Sequence, residues 1–132
     1  MSKQNQILWL RISYWAGAVL DALAFLIMLF PALFAWNNRL TNFNPGIDYR
    51  YAMGMGAPLM LGWTVLLLWA DRRPFERKDV LLITLLVVLG EVITELFGVR
   101  VEFISVPAMI PTWMIQSVLS VLFIFSYWNA SK

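Results

Sequence analysis

The sequence predicts an all-α fold: an integral membrane four-helix bundle with its N- and C-termini in the cytoplasm. Three observations lead to this prediction. The 132 residues are 61% hydrophobic and only 14% charged, whereas soluble domains are about half apolar and about a quarter charged. Four apolar runs each approach or exceed the roughly 20 residues with which a helix crosses a bilayer. Lysine and arginine concentrate in the connections on one side of these runs.

The four runs predict a single transmembrane domain, residues 1–132, without internal repeats. The first run contains Arg11 and Asp21 and is too long for a signal peptide, so we interpret it as a retained span. The predicted spans cover residues 7–36, 51–70, 80–99 and 111–128.

Prolines mark the predicted breaks between and within these helices. Pro111 suits the first turn of a helix, where its missing N–H has no intrahelical partner to lose. The connection at residues 100–110 is less polar than the others and is broken by Pro107 and Pro111, so we expect it to lie flat on the membrane surface. Pro58 is predicted to kink the second span and to leave a backbone carbonyl without its partner.

The basic residues predict the orientation. With four spans, both termini and the charged turn at residues 71–79 lie on one side. That side holds seven basic residues, Lys3, Arg11, Arg72, Arg73, Arg77, Lys78 and Lys132, and the other holds three, Arg39, Arg50 and Arg100. Because basic loops stay in the cytoplasm, both termini are predicted there. Tryptophans gather at the two membrane–water interfaces, so Trp113 and most other tryptophans are predicted to be interfacial anchors. Trp63 instead lies in mid-span, where its indole N–H needs a partner.

Three acidic residues fall inside the predicted spans. Glu91 and Glu95 lie four residues apart in the third span, and Asp21 lies in the first. At a rise of about 1.5 Å per residue, Asp21 is roughly 15 Å beyond Arg11, and Glu91 is roughly 18 Å into its span. Both are therefore near the middle of a core about 30 Å thick. A central acidic residue costs roughly 2.5 to 3.5 kcal/mol, so these side chains should face the bundle interior or a water-filled cavity.

Small or polar residues accompany the acids on every span and predict the inward faces. On the third span these are Thr84, Glu91, Thr94, Glu95 and Gly98; on the fourth, Thr112, Gln116 and Ser120; on the first, Gly17 and Ala18; on the second, Gly54, Gly56, Ala57 and Gly62. Small residues let helices approach closely. The candidate ligand or proton site consists of Asp21, Glu91, Glu95, Trp63, Gln116 and Thr94.

No lysine or arginine lies in mid-membrane to neutralise these carboxyls, and low dielectric disfavours their charged form. Three alternatives follow: protonated carboxyls that hydrogen-bond as structural links, a proton-binding site, or a site for a cation such as a metal ion or an organic amine. For Glu95, snorkelling outward or pairing with Arg100 are further structural alternatives. The absence of Cys and His excludes disulfides, thiol nucleophiles, His-ligated metals and Ser–His catalysis. No metal site, cofactor or catalytic residue is predicted.

Three functions compete at this point. The first is a small membrane protein that binds or moves a proton, a cation or an apolar amine. The second is an accessory or assembly subunit of a larger membrane complex, without a site of its own. The third, an intramembrane lipid-modifying enzyme, ranks last because the sequence offers no nucleophile. The expected partners are the lipid bilayer and a second copy or a larger membrane complex, and no nucleic acid.

The stretch "LMLGWTVLLLWADRRPFERKDVLLIT", residues 59–84, resembles a group of small four-helix proteins of the bacterial inner membrane. The first span, with Asp21 and "MLFP" at residues 28–31, is similar to the same group. The resemblance implies an inner-membrane location and no particular activity. In size and helix count the chain also resembles the DoxX-like membrane proteins. Small multidrug-resistance exporters are similar in having four helices and an acid in the first, but the charge bias and the acids of the third span depart from them.

Overall fold

A computed structural model describes residues 2–132, and within them it is built from helices and contains no strand. Five helices follow one another: α1 (Lys3–Leu29), α2 (Pro31–Asn37), α3 (Ile47–Asp71), α4 (Asp79–Arg100) and α5 (Val106–Ala130). Four of them, α1, α3, α4 and α5, are long and apolar enough to cross a membrane. The all-α class and the four long apolar helices are therefore confirmed.

The first predicted span, residues 7–36, is two helices in the structure. Phe30 adopts an extended conformation, with φ −113° and ψ 105°, and separates α1 from α2. The cause is Pro31, because the ring of a proline disfavours helical geometry in the residue before it. Pro31 itself opens α2, a position where its missing N–H is harmless. The prediction of one continuous span was wrong beyond Leu29.

The predicted start of the fourth span was also wrong, since α5 begins at Val106 and residues 106–110 belong to it. Pro107 lies in the first turn of α5, where proline is tolerated. Pro111 lies inside α5, and Pro58 lies inside α3, yet both helices continue through them. Each of these two prolines removes one backbone hydrogen bond from its helix.

The long helices pack mainly in three pairs. α1 contacts α3 most extensively and also packs on α5, while α4 packs on α5. The Nε2 of Gln6 donates to the carbonyl of Asn129 at 2.6 Å, and the Nζ of Lys78 donates to Ser131 Oγ at 2.8 Å. Both chain termini and the 72–78 turn therefore lie at the same end of the bundle.

The end of the bundle that holds the termini contains the main hydrophobic core. We call this the packed half, comprising residues 9–20, 63–71, 79–88 and 117–130. Its buried members are Leu10, Tyr14, Ala18, Leu67, Ala70, Val80, Leu81, Val88, Leu119 and Phe123. A Cβ added to Gly17 would lie 2.9 Å from Leu67 Cδ1 and 3.0 Å from Phe123 Cζ. The close helix contact predicted for Gly17 is thus confirmed.

At the opposite end α1, α3 and α4 bury few residues, and a smaller core is formed by Ile104, Ala108 and Met109. We call this end the open half, comprising residues 21–29, 47–62, 89–100 and 106–116. α1 has no buried residue in this half, α3 has only Ala57 and α4 only Gly98. Gly54 and Gly62 of α3, which were predicted to mediate close contacts, have no neighbour within 4 Å of an added Cβ. All three mid-span carboxylates belong to this half.

Candidate functional site

Asp21 stands where α1 enters the open half. Its Oδ2 atom is buried and has no hydrogen-bond partner. The ion pairs of residues 2–132 are Arg11 with Asp71 and Arg73 with Glu76, so none of them includes Asp21. A buried acceptor without a donor carries the full cost of losing water, about 1 to 3 kcal/mol and more for a charged group. The chain therefore leaves Asp21 uncompensated.

Glu91 brings a second carboxyl to the same region from α4. It is half-buried and close enough to both Asp21 and Glu95 for their charges to interact. The Gln116 amide lies beside both glutamates: its Nε2 donates to Glu95 at 3.0 Å, and it also lies within hydrogen-bonding reach of Glu91. Asp21 and Glu91 thus bring two carboxyls from two helices into charge-interaction range, without a cation paired to either.

Glu95, one turn further along α4, has a different environment. Its Oε2 accepts from Trp113 Nε1 at 2.9 Å, and its Oε1 accepts from Gln116 Nε2 at 3.0 Å. Hydrogen bonds to a carboxylate are about twice as strong as neutral ones. Both donors belong to α5, so Glu95 links α4 to α5 instead of snorkelling or pairing with Arg100.

Trp113 was expected to be an interfacial anchor, and its role as a partner of Glu95 was missed. Trp113 and Gln116 are three residues apart, a spacing that places both on one face of α5. That spacing was the available signal. It could have indicated a paired donor set facing an acid on the neighbouring helix.

Gln116 is the most buried polar member of the cluster, with 8% of its surface exposed. Its Nε2 is used by Glu95, while its Oε1 is buried and has no partner. Together with Asp21 Oδ2 this makes two of the four buried side-chain oxygens that have no hydrogen-bond partner among the described residues. Buried polar groups in folded proteins are nearly always paired, so these two atoms call for a specific explanation.

The other two predicted site residues lie apart from this cluster. Trp63 Nε1 donates to Thr84 Oγ1 at 3.1 Å, which supplies the partner that its indole N–H was predicted to need. Thr84 precedes Glu91 by two helical turns, or about 10 Å along the axis, so Trp63 belongs to the packed half. Thr94 is exposed, and its hydroxyl donates to the carbonyl of Gly90 at 2.9 Å.

The arrangement of the acids does not suit a metal ion. Nowhere in residues 2–132 do three acidic side chains come together in a set that could hold one. Hard cations such as Ca²⁺ take six to eight oxygen ligands in proteins. The two carboxyls of Asp21 and Glu91 offer too few ligands for such an ion.

Aromatic rings from the connecting segments close the far end of the open half. Phe34 of α2, Phe43 of the following loop, Tyr49 of α3 and Phe103 of the α4–α5 loop pack with centroids 5.2 to 6.4 Å apart. We call these four residues the aromatic cap. The Tyr49 hydroxyl is buried within it without a partner. The cap covers the end of the bundle opposite the termini.

No protein family, curated protein or solved structure was found that matches this chain. The resemblances noted in the sequence therefore stay predictions, and the functional argument depends on the geometry described above.

Proposed function

We propose that this chain is a multi-pass protein of the bacterial inner membrane with both termini in the cytoplasm. We also propose that Asp21 and Glu91 bind a small organic cation, an amine with an apolar body, in the open half. The observation that carries this proposal is the buried, unpartnered Oδ2 of Asp21 beside the second carboxyl of Glu91.

The orientation is supported by the positions of the termini. Hydrogen bonds of Gln6 and Lys78 hold both ends of the chain and the 72–78 turn at one end of the bundle. Seven of the ten basic residues belong to these segments or lie near them. Since basic segments are retained on the cytoplasmic side, the packed half is the cytoplasmic half and the open half faces outward.

The cation is supported by electrostatics. Two carboxyls in a medium of low dielectric, without a cationic partner, are costly in their charged form. A bound ammonium group would offset that cost, and the apolar side chains of the open half would contact its hydrocarbon part. In the absence of the amine, the same carboxyls can hold a proton. Amine binding would then displace a proton. This exchange at one site is the simplest basis for transporting the amine across the membrane in one direction and a proton in the other.

Calorimetry of the purified protein in mild detergent tests the proposal, with hexylamine as the probe. Wild type should bind it, and Asp21→Asn should weaken binding by about tenfold or more, because a charge-assisted contact is lost. Glu76→Gln is the matched control, since Glu76 is an exposed carboxyl paired only with Arg73, and it should bind like wild type. Absence of binding to wild type, or equal binding by Asp21→Asn, would refute the site.

An accessory role in a larger membrane complex is the second candidate. It is favoured by Gly54 and Gly62, which leave open surface on α3 of the kind that lets another helix approach closely. Purification from native membranes in mild detergent tests this role. A partner protein retained in fixed ratio by wild type and lost by Gly62→Leu would favour it over the binding site.

A further inference from the structure

The same cluster indicates which kind of cation it would accept, an inference that depends on the cation site proposed above. We infer that the ligand carries at least two N–H donors, as a primary ammonium or an amidinium group does, and is not a fully alkylated ammonium. The inference starts from what the cluster lacks.

The cluster lacks donors. Two buried acceptors, Asp21 Oδ2 and Gln116 Oε1, have no partner, and they come from α1 and α5. The orientation of the Gln116 amide is fixed, because its Nε2 donates to Glu95 Oε1 at 3.0 Å. Its Oε1 therefore points away from Glu95 and is the acceptor without a partner.

The neighbouring side chains cannot supply the missing hydrogens. Trp113 Nε1 already donates to Glu95, and Trp63 Nε1 already donates to Thr84. The two threonine hydroxyls nearest in the chain, Thr84 and Thr94, both donate to carbonyls of their own helix. Of the donors in the cluster, only the second N–H of the Gln116 amide remains, and it lies beside Glu91, so neither Asp21 Oδ2 nor Gln116 Oε1 receives a hydrogen.

The three kinds of cation differ in what they bring to such a cluster. A proton on one carboxyl makes a single O–H donor, which can satisfy only one of the two orphan acceptors. A quaternary ammonium brings charge but no N–H. A primary ammonium has three donors, like the side chain of lysine, so it can neutralise the carboxyls and reach both acceptors at once.

Glu95 has a positioning role in this account. Its two hydrogen bonds to α5 hold the Gln116 amide with the Oε1 turned away. Glu95 itself is already satisfied by two donors, so the ligand has no need of it. Gln116 and Asp21 determine the preference for N–H donors, and Glu91 adds the second charge.

Two ligands of equal charge and equal chain length test the inference: hexylamine and hexyltrimethylammonium. Their affinities for wild type are measured by calorimetry in mild detergent. Hexylamine should bind about tenfold or more tightly, since hydrogen bonds to buried acceptors are made by one ligand only. Equal affinities would overturn the inference and leave the cation site standing, with water satisfying the acceptors. Binding of neither ligand would overturn the cation site and this inference together.

Variants then locate the preference. Gln116→Met removes the orphan acceptor, so the ratio of the two affinities should fall towards one. Trp113→Phe removes the other donor to Glu95 and keeps Gln116, so the ratio should stay as in wild type. A ratio unchanged by Gln116→Met, in protein that still unfolds cooperatively on heating, would exclude Gln116 from ligand selection.

Discussion

The packed half and the open half are built from the same four helices, yet among the described residues the packed half leaves one buried polar atom without a hydrogen-bond partner, Asp71 Oδ1, and the open half with its cap leaves three. In the packed half, Ser13 donates to Ser126 at 2.8 Å, and the Tyr14 hydroxyl donates to the carbonyl of Pro74 at 3.1 Å. In the open half and its cap, Asp21, Gln116 and Tyr49 each keep a buried polar atom without a partner. Stability is therefore concentrated at the end with the termini. The other end keeps unsatisfied groups of the kind that binding sites retain at a cost in stability.

The largest expected effect separates two glycines, one from each half. Gly17→Leu should lower the free energy of unfolding by about 1 to 3 kcal/mol, as overpacking does, because Leu67 and Phe123 already occupy the space beside it. Gly62→Leu is the matched control, because its added side chain meets open space. It should match or exceed wild type, since glycine is a poor helix former. Thermal unfolding in mild detergent measures both, and equal losses would mean that the two halves are packed alike.

Two tyrosines, one from each half, allow the same comparison. Their changes to phenylalanine should have smaller effects on stability, and effects of opposite sign. Tyr14→Phe should cost about 1 kcal/mol, because it removes a buried hydrogen bond to Pro74. Tyr49→Phe should leave the melting temperature unchanged or raise it, because the hydroxyl that it removes has no partner. A clear loss of stability in Tyr49→Phe would show that the cap hydroxyl is satisfied, for instance by water.

A third comparison, with an effect of similar size, concerns the boundary between the halves. α3 and α4 pack on each other only weakly, and the hydrogen bond from Trp63 to Thr84 joins them. Trp63→Phe should lower the free energy of unfolding by about 0.5 to 1.5 kcal/mol. Hydrogen exchange should show faster opening at the ends of α3 and α4 that meet there. Unchanged exchange in this region would mean that the 72–78 turn alone holds the two helices together.

Much of the fold could be predicted because a bilayer sets the length of an apolar helix. The boundaries could not all be predicted in the same way. The break at Phe30 was accessible from the sequence, since the residue before a proline avoids helical geometry. The start of α5 at Val106 was harder, because Pro107 and Pro111 fit both a helix N-terminus and an irregular stretch. In the structure Pro107 occupies the first turn of α5, and the segment is helical from Val106 onward.

The depth of the site residues in the membrane could be predicted from the sequence, but the direction in which their side chains point could be predicted only in part. The rise per residue placed Asp21 and Glu91 at one level, and the structure brings the two carboxyls near each other. Glu95 and Thr94 were both assigned to the inward face, but successive residues are about 100° apart around a helix. Only one of them can face α5, and Trp113 and Gln116 on that helix select Glu95. That selection depends on side chains of another helix, which the pattern along α4 does not contain.

Two glutamates one turn apart on α4 have different roles in this account. Glu95 links α4 to α5 through hydrogen bonds, and Glu91 belongs to the proposed cation site. Thermal unfolding of Glu91→Gln and Glu95→Gln in mild detergent at neutral pH tests this claim most directly. Glu95→Gln should melt clearly lower, because an amide presents a donor to the N–H groups of Trp113 and Gln116 and leaves one unpaired, at about 1 to 3 kcal/mol. Glu91→Gln should melt at or above wild type, because a glutamine oxygen can still accept from the Gln116 amide and a charge near Asp21 and Glu95 is removed. A loss in Glu91→Gln as large as that in Glu95→Gln would make both residues structural links and contradict the account.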